Sequence, residues 1–114
     1  MQDHIDNYFL SLPEPEQSVL LFLHRFLMNE VNLQYERKFN TPFYYHNGKW
    51  FCFISYDPKK RDIYISFVKG YKVLHPKLLS EGRKQQKIYK IISEKDINTK
   101  ELITICKSLK KIYE

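Results

Sequence analysis

Cysteine is nearly absent from this chain: Cys52 and Cys106 are the only two in 114 residues, far apart and in no CxxC spacing. That excludes a disulfide-stapled scaffold and a zinc ribbon. Long apolar runs are missing too. None exceeds the five residues of Val19-Leu20-Leu21-Phe22-Leu23, far short of the roughly 20 residues of a membrane span. The opening MQDHIDNYF begins with acids and lacks the basic region and cleavage site of a signal peptide. The expectation is a cytoplasmic chain with reduced thiols and no membrane partner. No P-loop, GxGxxG, HExxH or GxSxG occurs, which removes the common nucleotide, metalloprotease and hydrolase signatures. His4, His24, His46 and His75 are scattered without metal-ligand spacing. A non-enzymatic binding protein without a resident cofactor is therefore expected.

What is present is a globular composition, with 43% apolar and 16% aromatic residues in a chain long enough for one domain, 1–114. Charge is uneven. Residues 1–57 carry four Lys or Arg against seven Asp or Glu, residues 58–114 fifteen against six, for a net +6. A lysine-rich solvated surface accounts for this, and a nucleic-acid surface is the competing reading.

Asp3 is placed to cap a first helix carrying Ile5, Tyr8, Phe9 and Leu12. Pro13 and Pro15 separate it from a second helix, with Glu14 and Glu16 at its positive end. Val19, Phe22, Leu23, Phe26 and Leu27 form the predicted apolar stripe of that helix, leaving His24 and Arg25 outside it. From about Gln34 the period changes from 3.6 to 2, predicting strands near 34–39, 42–46, 49–56, 62–68 and 86–92. Asn47-Gly48 is a type I′ hairpin signal and DPKKR at 57–61 a longer charged turn. Asn98 with Glu101 opens a last helix whose apolar face is Leu102, Ile105, Cys106, Leu109 and Tyr113. The pattern predicts an α+β two-layer sandwich, with the N-terminal helices and the C-terminal helix packed on one face of an antiparallel sheet of about five strands.

Residues 43–56, FYYHNGKWFCFISY, crowd aromatic rings around that hairpin. An uninterrupted two-residue-turn register sets Tyr44 opposite Phe51 and Phe43 opposite Cys52. With Tyr56 opposite Asp62, the predicted core face is Tyr44, Phe51, Phe53, Ile63, Ile65 and Phe67. The outward face then holds Phe43, Tyr45, Trp50, Cys52, Ile54, Tyr56, Tyr64, Ser66 and Val68. So ring-rich a face asks for cover. The 70–85 loop, a second copy of the chain and a small ligand are the three candidates. The site residues expected on this reading are Tyr45, Trp50, Cys52, Tyr56 and Tyr64. Cys106, on the last helix's stripe, reads as a small core residue.

The pieces IDNYFLSLPEPEQ, NTPFYYHNGKWFCFI, FVKGYKVLHPKLLSEGRKQQKIYKI and ISEKDINTKELI, in that order, resemble the small bacterial YdhG-like family of unknown function. The resemblance covers almost the whole chain. It implies a frataxin-like fold, and a member has been described as an intracellular iron chaperone by analogy with frataxin. Iron needs converging carboxylates or imidazoles. Asp3 and Asp6, three apart on one helical face, are the candidate ligands on that alternative. Single-stranded nucleic acid, read by Lys59-Lys60-Arg61, Arg83-Lys84, Lys87 and Lys90 beside exposed rings, is a further alternative. No RNP-like strand or GXXG loop accompanies them.

Overall fold

The computed structural model describes residues 6–93 and 95–114 of the chain. Asp3, His4 and Ile5, named above, lie outside the described residues. A short helix α1 (Asn7–Leu10) is capped by Asp6, whose carboxylate accepts the Tyr8 N–H at 2.9 Å. Helix α2 (Glu16–Arg25) follows directly after Pro15 and runs into a π-helical turn, Phe26–Glu30. Five strands come next: β1 (Gln34–Lys38), β2 (Thr41–His46), β3 (Lys49–Asp57), β4 (Asp62–Phe67) and β5 (Lys87–Ile91). Helix α3 (Thr99–Tyr113) closes the chain. The strands form one antiparallel meander in the order β1-β2-β3-β4-β5. The protein is an α+β fold, with all three helices contributing to the core on one side of the sheet.

Local chemistry accounts for most boundaries. Asn47 and Gly48 adopt φ of 53° and 74°, the type I′ geometry expected of that pair. In the β3–β4 turn the Asp57 carboxylate accepts the Lys59 N–H at 3.0 Å, an Asx turn. Asn98 caps α3 by accepting the Glu101 N–H at 3.1 Å. The Glu101 carboxylate does not reach back to complete a capping box; it accepts the Tyr89 hydroxyl at 2.6 Å. All five residues of the expected α3 stripe are buried.

Helix α2 and the turn after it keep most of the expected stripe, with Leu23, Phe26 and Leu27 buried and Val19 packed against the core, and depart from it at Phe22. The buried residues of α2 are Glu16, Leu20, Leu23 and His24, while Phe22 is 45% exposed. On its buried side, His24 Nδ1 lies 2.8 Å from the buried Tyr44 hydroxyl.

The sheet register departs as well. His46 stands opposite Lys49 and Tyr45 opposite Trp50, as the turn dictates. A bulge between Tyr44 and Tyr45 then sets Tyr44 opposite Cys52 and Phe43 opposite Phe53. A bulge admits one extra residue on one strand and inverts the facing of the residues beyond it. Phe51 and Cys52 are consequently both buried. The β3–β4 turn agrees with the shifted register, pairing Tyr56 with Ile63 and Asp57 with Asp62. Ile54 is buried in the core and Tyr56 packs against it, whereas Phe53 moves to the outer face and stacks on Phe43.

The 70–85 segment returns to the sheet edge. Leu79 and Ile88 exchange backbone hydrogen bonds at 2.9 and 2.8 Å, and Leu78 joins the core. At Gly70 the chain passes so close to β5 that a Cβ would stand 2.7 Å from the Lys87 Cβ.

Candidate functional site

The outer face of the sheet is a plate of rings at its β1–β3 end. Phe43 and Phe53 stack with centroids 4.8 Å apart, and Trp50 tilts against Phe43 at 4.9 Å. Phe39, in the β1–β2 turn, stands edge-on to Phe43 at 6.1 Å and to Trp50 at 6.5 Å. Burial within the plate is graded: Phe43 is 5% exposed, Trp50 40% and Phe39 80%. Phe39 also holds a φ of 52°, a left-handed conformation rare and costly for a bulky side chain. Sequence reading missed Phe39 because a two-residue turn signal normally contains Gly, Asn or Asp. Here Phe39-Asn40 makes the turn, with only Asn40 of the usual type.

Of the five expected site residues, the structure brings two to this plate and leaves one nearby. Trp50 belongs to it. Tyr45 lies opposite Trp50 and donates its hydroxyl to Glu36 at 2.9 Å. Tyr64 lies on the same outer face toward β5, with the Arg83 guanidinium 5.7 Å above its ring. Cys52 and Tyr56 belong to the helix-covered face instead, a direct consequence of the bulge. Cys52 is fully buried, and burial, with the nearby Cys106 adding to it, pushes its thiol well above the ordinary range. A thiol so placed is a packing group and not a nucleophile.

The loop explanation for the outer face holds at one end only. Leu79 covers the β5 edge at Ile88, which is buried. At the other end the rings border a charged strip: Lys38 Nζ lies 5.9 Å from the Trp50 ring centroid and 3.8 Å from Glu36 Oε1.

Asp6, the one described member of the iron-ligand pair, is engaged on both oxygens. Oδ1 accepts the Tyr8 N–H and meets Arg37 at 3.1 Å, and Oδ2 accepts the Tyr35 hydroxyl at 2.9 Å. Burial opposes ionisation, but these donors and Arg37 outweigh it and hold the carboxyl below its ordinary value. Among the described residues no three His, Cys, Asp or Glu side chains converge as a metal site would require. Two of the cations singled out for nucleic acid have acidic partners: Lys90 meets Glu81 at 2.8 Å, and Arg61 Nε donates to Glu16 at 2.7 Å. No helix among the described residues is long and apolar enough to cross a membrane.

Comparison with protein-family models, with curated proteins and with solved structures finds no match to this chain.

Proposed function

We propose that this is a non-enzymatic binding protein of the YdhG-like type, and that the aromatic plate on its outer sheet face joins it to a second copy of itself. The observation that carries the reading is Phe39: a phenylalanine held in a strained backbone conformation with 80% of its surface in water. Strain and apolar exposure at one residue are two separate costs, and a partner that buries the ring offsets the second. Phe39 and Trp50 stand open to water on the plate. A small molecule resting on it would keep much of its surface in water, whereas small-ligand sites enclose most of theirs. A flat partner suits it better, and a two-fold copy presents the same rings.

Charge supports the same partner. Glu36 and Lys38 lie beside the plate on β1, so a two-fold arrangement can set each Lys38 against the other copy's Glu36. Phe39 and Trp50 are the plate residues that such a partner would cover, since Phe43 is already buried within the chain. The reduced state of Cys52 and Cys106, both free and buried, fits a cytoplasmic protein.

Sedimentation equilibrium across a wide concentration range, with Trp50 emission recorded in parallel, tests the reading. The expected result is a monomer–dimer equilibrium in which Trp50 emission shifts to the blue as dimer forms, with Phe39→Ser remaining monomeric. A wild-type chain that stays monomeric at high concentration with an unchanging Trp50 spectrum sinks it.

A further inference from the structure

On the opposite side of the molecule, the helix layer is open. α2 with its π-helical turn forms one wall of a groove of about 820 Å³, and the first turn of α3 forms the other. Its size falls within the ordinary range for small-molecule sites, about 300–1,000 Å³. Leu21, Phe22 and Ile103 line it above the almost fully buried Phe26. Phe22, exposed against the sequence expectation, is exposed into this groove.

Its polar rim is not neutral. Lys100 stands on the α3 wall, while Arg25 and Glu30, of opposite charge, stand on the other wall. α3 begins at Thr99, also on the rim, so the positive end of a 15-residue helix dipole adds to Lys100. The π-helical turn bears on the same place. Its wide i→i+5 closure, Val31 N–H to Phe26 C=O at 3.1 Å, carries Asn29 and Glu30 on the groove wall. Turns of this kind recur at functional sites. The Lys110 ammonium donates to the Val31 carbonyl, which ties α3 to the end of this turn while residues 99–103 border the gap.

We infer that this groove is a binding site for an anionic amphiphile, a single-chain carboxylate whose tail lies over Phe22, Leu21 and Ile103 and whose head meets Lys100 and the start of α3. An apolar floor with a cationic rim at one helix end matches that chemistry and disfavours a cationic amphiphile of the same tail. The site is independent of the ring plate on the far side of the sheet.

Calorimetric titration with dodecanoate below its micelle concentration tests the inference, with dodecylammonium as the charge-reversed probe. Binding of one dodecanoate per chain is expected, with dodecylammonium at least about tenfold weaker. Two surface variants read the two halves of the site: Lys100→Glu and Phe22→Ser should each weaken dodecanoate by about tenfold or more, while Phe39→Ser changes nothing. Amide shifts in NMR should move at Phe22, Asn29 and Thr99 and stay still at Phe39 and Trp50. Absence of saturable binding overturns the inference. So does equal affinity for the ammonium probe, or wild-type affinity in either groove variant when both retain the native spectrum.

Discussion

His24 Nδ1 and the Tyr44 hydroxyl meet at 2.8 Å between helix α2 and strand β2, both side chains buried. Tyr35 stacks its ring edge against His24 at 4.7 Å, and Phe9 lies against it at the same distance. This polar contact thus sits among aromatic rings, where an unmade hydrogen bond costs more than a made one returns. Tyr44→Phe should lower the unfolding free energy by about 1–3 kcal/mol, the cost of leaving a buried partner unsatisfied. Urea denaturation measures this, and a change below about 0.5 kcal/mol would show that the pair does not orient α2.

Both thiols should be inert in the folded protein. Burial pushes Cys106 up to about 12 despite the opposing charge of Lys110, and pushes Cys52 well above its ordinary value. A thiolate-detecting disulfide reagent near pH 8 should therefore modify neither residue in the native state and both in denaturant. Rapid native labelling of Cys52 would place it outside the core and contradict the bulged register.

Acid should loosen the contact between α2 and the β3–β4 turn. Glu16 is 3% exposed and accepts two hydrogen bonds from Arg61, which also donates to the Glu14 carbonyl at 3.1 Å. Hydrogen bonding to Arg61 outweighs burial and holds the Glu16 carboxyl below its ordinary value. A carboxyl depressed in the folded state contributes stability that is present above its unfolded value and lost as pH falls through the folded one. Stability should therefore drop below about pH 4.5, and Glu16→Gln should be less stable at neutral pH with a shallower acid limb. An acid limb as steep in Glu16→Gln as in the wild type would remove Glu16 as its source.

Phe39 separates fold stability from self-association. Phe39→Gly relieves the left-handed strain, so the unfolding free energy of the monomer should stay level or rise, by up to about 1 kcal/mol. The dimer should be lost at the same time. A fall in monomer stability larger than about 1 kcal/mol would mean that the ring works within the chain and not across an interface.

Gly70→Ala should destabilise. The added Cβ would meet the Lys87 Cβ at 2.7 Å and the Lys87 backbone nitrogen at 2.8 Å, a crowding that costs about 1–3 kcal/mol. The same substitution at Gly82, where a Cβ meets nothing within 4 Å although φ is 82°, isolates backbone strain from crowding. Thermal unfolding of the two variants compares them, and equal losses would argue against close packing at Gly70.

Local signals made the elements readable. Asn47-Gly48, the Asn98 cap and the 3.6-residue spacing of Leu102, Ile105, Cys106 and Leu109 each act within a few neighbours, and each appears where its chemistry puts it. The candidate site was legible in part. Trp50 and Tyr45 face outward because they lie within two residues of the turn that sets their register. Cys52 and Tyr56 lie beyond the bulge at Tyr44/Tyr45, and no local pattern announced it. Phe51 and Cys52 are both acceptable core residues, so the alternation of β3 reads equally well in either phase.

By itself, then, the sequence determined the order and type of the elements, the two-residue hairpin and the α+β class, because these follow from spacing, capping and turn chemistry. The tertiary structure decided which face the β3 residues beyond the hairpin serve, and how α2 is turned on the sheet. A bulge of one residue inverts a strand, and α2 lies with His24 buried against Tyr44 and Phe22 outward. The ring plate follows from the bulged pairing of β2 with β3, and the helix groove from how α2 sits on the sheet, where His24 meets Tyr44 twenty positions along the chain.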